Sequence, residues 1–276
     1  MKKAVLIPII AVSSLLLAGG IFVGVSVAVA NKTNSYEVNE VVLNEPFSNL
    51  EFDLSTSDLE FKASTDGTKK VILQERSKFR HEVKVEDNKL VVKLNDTRQW
   101  YEKTFNVSTS YLKVTVFLPS STYGDLYIKS STGDINIPKE FSFANSKVEL
   151  STGNVNISSK VNDTIQVESS TGHITVNEIN PNNAYFKAST GKVTLNNVVA
   201  KENIKVNTST GDISLNSCDA PNIDVEASTG DVNMSLLSGK IFDVTTSTGK
   251  KNVPVSTSGG TCKVKTSTGD INISVL

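Results

Sequence analysis

The sequence predicts an all-β protein: a single-domain parallel β-solenoid of 19–20 residues per coil, with an N-terminal β-strand cap and one N-terminal transmembrane helix. Three observations predict it. A Ser-Thr-Gly motif recurs eight times at near-constant spacing. Apolar residues alternate with polar ones on both sides of each motif. A 27-residue uncharged run opens the chain after two lysines.

The first element is the apolar run of residues 4–30, preceded by a short cytoplasmic stub, residues 1–3. A membrane-spanning helix needs about 20 residues, and a signal-peptide core about 7–15, so the length favours an uncleaved signal-anchor. The small residues Ala28-Val29-Ala30 also fit a cleavage site, so secretion after cleavage stays open. In both cases the lysines stay inside, and residues 31–43 form a tether to an extracytoplasmic domain.

The second element, residues 44–124, is predicted to hold a degenerate first coil and the β cap. "LEFDLSTSDLEF" fits the repeat template with Ser57 in the glycine place. Longer strands follow, and Asp87-Asn88 has the composition of a two-residue hairpin turn. Such a layer would cover one edge of the solenoid.

The third element, residues 125–276, carries the repeats, whose spacings of 20, 19, 19, 20, 19, 19 and 20 residues indicate one coil per repeat. Apolar columns lie two and four residues after each glycine and five residues before it, with Lys251 as the one break. Short alternating segments of this kind bury their apolar side only by stacking about 4.8 Å apart. Parallel crossovers favour a right-handed solenoid.

The motif itself is interpreted as a structural turn. Glycine suits a corner with positive φ or close backbone approach, and serine and threonine can bond the turn backbone. The predicted turn glycines are Gly133, Gly153, Gly172, Gly191, Gly211, Gly230, Gly249 and Gly269. The residue three before the glycine is small in all repeats but one, where it is Leu150, which fits the inside of a bend.

The last coil ends at Leu276 with no polar cap, and a bare terminal coil presents unpaired backbone groups. We therefore predict self-association or partner docking through the C-terminal coil. In the loop of residues 95–105, Trp100 and Tyr101 are candidate partner contacts, and Trp100 alternatively covers the open end of the solenoid.

Composition excludes several functions. The net charge of −1, with Lys and Arg interspersed among Asp and Glu, gives no basic face for nucleic acid. Calcium is disfavoured, because the residue after the glycine is lysine or histidine in three repeats, and neither suits a calcium site. No cofactor, metal or catalytic residue is predicted. Ice binding would need a regular array of threonines, and the threonine rows of these repeats are incomplete.

Catalysis is not expected. The segment from residue 125 onward has no Arg and no Trp, and the two histidines, His81 and His173, show no spacing typical of a Ser-His-Asp triad. Cys218 and Cys262 fall in apolar columns of coils two steps apart, so two buried free thiols are favoured over a disulfide.

The early "LEF", the segment "VTVFLPSSTYGDLYIKSSTGDINI" and the serial "STGD" turns resemble the bacterial DUF4097 putative-adhesin family, which includes the LiaG-like and LiaX-like envelope proteins of Gram-positive bacteria. The similarity covers roughly residues 44–276. It implies a β-solenoid outside the membrane, with a role in adhesion or envelope stress and with an unknown envelope protein, surface protein or glycan as partner. The alternatives are a carbohydrate-active β-helix enzyme and a purely structural envelope protein.

Overall fold

The computed structural model describes residues 36–76, 78–97 and 112–276, and this part of the chain is all-β. The predicted span of residues 4–30, Trp100 and Tyr101 lie outside the described residues. Within the described ranges no helix is long and apolar enough to cross a bilayer. The strands are β1 (Glu37–Val42), β2 (Asn49–Asp53), β3 (Ser57–Ala63), β4 (Lys70–Glu75), β5 (Phe79–Glu86), β6 (Lys89–Asp96), β7 (Leu112–Leu118), β8 (Thr122–Thr132), β9 (Ile135–Ile137), β10 (Ser142–Thr152), β11 (Val155–Ile157), β12 (Lys160–Val161), β13 (Thr164–Thr171), β14 (Ile174–Asn177), β15 (Asn183–Thr190), β16 (Val193–Asn196), β17 (Asn203–Thr210), β18 (Ile213–Cys218), β19 (Asn222–Thr229), β20 (Val232–Leu236), β21 (Lys240–Thr248), β22 (Lys251–Asn252), β23 (Gly260–Thr268) and β24 (Ile271–Val275).

The strands form two 12-stranded sheets. Sheet A has the order β1-β4-β7-β3-β9-β11-β14-β16-β18-β20-β24-β22, and sheet B has the order β21-β23-β19-β17-β15-β13-β10-β8-β2-β6-β5, with β12 beside β10. Each repeat gives one strand to sheet B, turns at its glycine, and gives the next strand to sheet A. The pairings between repeats are parallel, and they keep their register except for a shift between Leu215 and Cys218 where β18 pairs with β20. This confirms the predicted parallel solenoid.

The predicted apolar columns form the interior. In sheet B, Ile128 pairs with Val148, which pairs with Val167, and all three side chains are fully buried. In sheet A, Ile135 stacks on Val155 in the same way. Because successive side chains of a strand point to opposite faces, the polar residues between these positions lie outside.

The glycine corner has the geometry that the motif predicts. The eight turn glycines have φ between +131° and +152°, a region that side chains rarely adopt. At Gly172 an added Cβ would lie 1.9 Å from the carbonyl oxygen of Gly153, and at the other seven turn glycines it would lie 1.9–2.4 Å from a carbonyl oxygen of the neighbouring corner. Stacked corners therefore leave no space for a side chain, and the motif is a building unit.

The N-terminal end carries the antiparallel strands. Strands β1 and β4, β4 and β7, and β5 and β6 pair antiparallel, so they close this end with a different layer. The hairpin turn at Asp87 and Asn88 is confirmed, with φ of +49° and +60° as a type I′ turn requires. Ser57 lies beneath Gly133 at the corner, and Leu59 pairs with Ile135, so β2 and β3 occupy the place of a coil.

The other end corrects the sequence prediction. The last repeat does not form the open end: β23 lies between β19 and β21, and β24 lies between β20 and β22. The inserted repeat has apolar residues in every inner column, including the buried Val264, Ile271 and Ile273. The displaced repeat carries Lys251, and a lysine buried between two coils would be costly. The outermost position leaves Lys251 exposed to water.

Three glycines outside the motif mark the place where the chain passes over the inserted coil. An added Cβ at Gly259 would lie 2.0 Å from the carbonyl oxygen of Gly239, and one at Gly260 would lie 2.0 Å from that of Pro221. These glycines allow the close backbone approach that the exchange of the two coils requires.

Candidate functional site

The outer face of sheet B carries a shallow groove of about 280 Å³ that crosses four coils. Two rows of side chains line it, and both rows run along the stack because the strands are in register. The charged row consists of Lys129, Glu149, Glu168 and Lys187, and the serine row consists of Ser131, Ser151, Ser170 and Ser189. We call this feature the serine groove.

Between the two rows lie the residues three before the turn glycines, Ser130, Leu150 and Ser169, whose side chains are buried. Ser130 and Ser169 are buried there, with exposures of 4% each. The exposed hydroxyls of the serine row stand beside them on the same strands. Because successive side chains of a strand point to opposite faces, the serine row lies on the outer face while the residues between the two rows point inward.

Along the stack, the charged row has a lysine at each end and two glutamates between them. Lys147 Nζ lies 2.8 Å from one oxygen of Glu149, and the Tyr127 hydroxyl donates to the other at 3.0 Å. The hydrogen bond from Lys147 lowers the pKa of the Glu149 carboxyl below its usual range, despite the opposing effect of burial. Glu149 is therefore ionised at neutral pH and holds no proton for general acid catalysis.

A second depression adjoins the serine groove on the same face and contains Tyr185. Its lining includes Gln166, Lys187 and Lys205, and the Tyr185 hydroxyl donates to Asn183 Oδ1 at 3.3 Å. Tyr127 and Tyr185 thus offer half-buried rings along one surface that is otherwise rich in hydroxyl, amide and charged groups.

In six of the eight repeats, the residue after the turn glycine accepts a backbone N–H of the neighbouring coil, so this column forms a hydrogen-bond ladder. Asp134 Oδ1 accepts the backbone N–H of Asn154 at 2.7 Å, Asn154 Oδ1 accepts that of His173 at 3.0 Å, and His173 Nδ1 accepts that of Lys192 at 3.0 Å. Farther along, Asp231 Oδ1 accepts the N–H of Asp270 at 2.8 Å. Among the described residues no group of three His, Cys, Asp or Glu side chains has the arrangement of a metal site.

Lys192 interrupts this ladder, because an ammonium group has no acceptor for the N–H of the next coil. We expect Lys192→Asn to raise the free energy of unfolding by about 1 kcal/mol, the usual net value of one hydrogen bond. The measurement is chemical denaturation of both proteins. Lys250→Asn is the matched control, since Lys250 belongs to the outermost coil and no further coil offers an N–H. Equal gains from both variants would contradict the ladder as the cause.

A buried polar cluster joins the cap to the first coil, and sequence reasoning missed it. Ser57 Oγ lies 3.0 Å from His81 Nε2, and His81 Nδ1 lies 3.1 Å from Glu75 Oε1. The three residues stand on different strands, β3, β5 and β4, so their sequence spacing gave no signal. The fold brings His81 to a serine and a glutamate although the sequence shows no spacing typical of a Ser-His-Asp triad.

The cluster is not accessible to a substrate. The side chains of His81 and Glu75 are 0% and 3% exposed, and Ser57 is 1% exposed. Asn39 donates to Glu75 at 2.6 Å, and the backbone N–H of His81 also donates to Glu75, so the carboxylate is fully bonded. The arrangement fastens β1, β4 and β5 to the first corner.

The turn glycines and the two cysteines lie where the sequence predicts them. The eight turn glycines stack in one column, and their role is structural. Cys218 and Cys262 are buried free thiols, as predicted. Burial raises the pKa of Cys218 to about 11 and that of Cys262 to about 12, so both thiols are protonated and inert at neutral pH.

The fold and its surfaces define a class of protein: a parallel β-solenoid that displays long rows of polar side chains on flat outer faces. The chain belongs to the Toastrack DUF4097 family, whose sequence profile matches residues 47–163 and 154–276. No curated protein sequence matches it.

Two solved structures share the fold. One is a "putative adhesin" from Bacteroides fragilis NCTC 9343, with a TM-score of 0.51 and 15% identity over 87% of this chain and 98% of that one. The other is a "putative adhesin" from Parabacteroides distasonis ATCC 8503, with a TM-score of 0.53 and 11% identity over 87% and 98%. At these identities the likeness is one of fold.

Proposed function

We propose that the chain is an extracytoplasmic binding module of the bacterial cell envelope, tethered to the membrane by residues 4–30, and that the serine groove binds a glycan chain. The observation that carries the proposal is the groove itself. Its hydroxyl row, ion pairs and neighbouring tyrosine rings are the groups that bind sugar hydroxyls and sugar faces. The groove continues over four coils, so it suits an extended polymer.

Adhesion is the role that this proposal assigns to binding, with envelope-stress sensing as a further role of the same tethered module. The "putative adhesin" descriptions of the two structures of the same fold agree with a binding role. The length of the apolar run supports the tether. Fractionation of cells that express the chain with and without residues 1–30 tests this part.

An enzyme of the β-helix type is the competing function. Paired glutamates such as Glu149 and Glu168 are the groups that a glycosidase would use. However, catalysis of that kind needs a carboxyl with a raised pKa in a site that excludes water. The pKa of Glu149 is lowered, and the groove is open to solvent. Binding without turnover is therefore the better-supported function.

The test is co-sedimentation of the full chain, in detergent micelles, with insoluble cell-wall and plant polysaccharides. We expect binding without release of soluble sugar. Ser151→Arg with Ser170→Arg should fill the groove and weaken binding at least about ten-fold, a loss of about 1.4 kcal/mol. Asn156→Arg with Thr175→Arg places the same charges on sheet A of the same coils and should leave binding unchanged.

Three outcomes would contradict the proposal. Release of soluble sugar would identify an enzyme. Equal loss of binding in both double variants would show that added charge, and not the groove, controls binding. Absence of binding to every polysaccharide, with the protein folded, would exclude a glycan and leave a protein partner as the occupant.

A further inference from the structure

The end of the solenoid away from the cap is an open edge formed by β21 and β22, the outermost strands of sheets B and A. Exposed apolar side chains gather in and next to this end of the described chain. Of six exposed large hydrophobic side chains in the described residues, five lie in residues 237–276, among them Ile241 at 55% and Leu276 at 71%. Unpaired strand edges with apolar surroundings invite another strand.

Lys251 lies across this edge. Its position in the repeat is an inner column, which the other seven repeats fill with isoleucine or valine. From β22 its Nζ reaches the carbonyl oxygen of Val244 on β21, at 3.3 Å. The side chain therefore spans from sheet A to sheet B over the last layer of core and ends in a charge.

We propose that this end fits the same end of a second copy of the chain, and that Lys251 is a gatekeeper that keeps the two copies apart. The sequence of β21 indicates that the partner is a second copy of the chain. In an antiparallel pairing of two β21 strands centred on Val244, Phe242 lies opposite Thr246 and no like charges oppose each other. A two-fold axis of this kind extends both sheets at once.

The same axis brings the two Lys251 side chains together. Because Lys251 Nζ is bonded to Val244, the residue at the centre of the pairing, the ammonium groups of the two copies would meet near the axis. Like charges that oppose each other across paired strands are destabilising, and inward-pointing lysines are a known protection of sheet edges. The backbone and apolar groups of the wild-type end can thus pair with those of a second copy, and the charge of Lys251 opposes this pairing.

The exchange of the last two coils supports this role. Had the repeats stacked in chain order, the outermost layer would carry Ile271 and Ile273, both of which are buried in the structure. The topology instead places outermost the single repeat with a lysine in an inner column. The fold therefore buries the repeat with apolar residues in all inner columns and leaves the repeat with Lys251 at the end.

The experiment compares the wild-type full chain with Lys251→Ile and Lys250→Ile by sedimentation equilibrium in density-matched detergent. We expect the wild type and Lys250→Ile to have the mass of one chain, and Lys251→Ile to have twice that mass. Lys250 is the matched control, because it is adjacent and exposed but follows the turn glycine and lies outside the inner columns. Negative-stain images should show Lys251→Ile particles of doubled length and unchanged width.

A second variant separates end-to-end pairing from misfolding. Lys251→Ile with Val244→Lys returns an inward lysine to the same layer from the facing sheet, and it should restore the single-chain mass. A single-chain mass for Lys251→Ile, or association of the wild type through this end, would overturn the proposal. Association of Lys251→Ile that persists in the double variant, or that forms particles of irregular width, would overturn it as well.

Discussion

Replacing Gly172 by alanine is expected to lower the free energy of unfolding by about 2–5 kcal/mol, through overpacking and backbone strain together. Gly172 has φ of +135°, and an added Cβ would lie 1.9 Å from the carbonyl oxygen of Gly153. Overpacking costs about 1–3 kcal/mol, and the left-handed backbone costs about 1–2 kcal/mol for a residue with a side chain. The clash is with backbone that is itself held in the stack, so relaxation must separate two coils. Chemical denaturation of both proteins measures the loss.

Gly67→Ala is the control for the backbone part alone. Gly67 also has positive φ, +77°, but an added Cβ would have no atom within 4 Å. We expect this variant to lose only about 1–2 kcal/mol. If the two variants lost the same amount, the stacking of corners would not be what requires glycine in the repeat.

The second large effect is expected at Glu75, in the buried cluster between the cap and the first coil. Glu75→Gln should lower the free energy of unfolding by about 3 kcal/mol at pH 7, since removal of one member of a buried charged network costs about 3–5 kcal/mol. The amide keeps the shape of the side chain but can no longer accept from Asn39, His81 and Arg80 as a carboxylate does. Thermal and chemical denaturation measure the change.

The pH dependence has a definite sign. Burial would raise the pKa of Glu75, but the hydrogen bonds from His81 and Asn39 outweigh it, so the pKa lies below the ordinary value of 4.5. A lowered pKa in the folded state stabilises the fold above the pKa of the unfolded chain, and this stabilisation is lost as the pH falls through the folded value. The difference between wild type and Glu75→Gln should therefore be full at pH 7 and shrink below pH 4.5.

Glu140→Gln is the matched control, because Glu140 is exposed. It should change stability by less than about 0.5 kcal/mol at any pH, as is usual for surface substitutions. A pH-independent loss in Glu75→Gln would show that the carboxylate charge does not stabilise the cluster. It would leave shape and packing as the cause.

Much of the solenoid follows from local pattern. The period of the glycines predicts the coil length, and the alternation around them predicts which residues are buried, because register in stacked parallel strands repeats the same choice in every coil. Phe186 and Val206, each five residues before a turn glycine, belong to such a column, and both are buried. The Asp87-Asn88 turn was also predicted from local sequence, because the type of a two-residue hairpin turn depends on the residues within the turn itself.

The candidate site was not predicted in the same way. The serine groove depends on four neighbouring coils, and no single repeat differs enough from the others to reveal it. The contact between Ser57, His81 and Glu75 joins three strands, and nothing in their spacing requires it. The serine groove exists only on the surface that the stacked coils form together.

The sequence by itself determined the coil, its corner and its inner columns, because each of these depends on residues close in the chain and repeated at a fixed period. Only the tertiary structure decided the order of the last two coils. Every coil offers the same edge to its neighbour, so the repeat pattern permits either order, and the choice depends on the cost of burying Lys251 compared with Ile271 and Ile273. That cost arises between coils, where the local pattern carries no information.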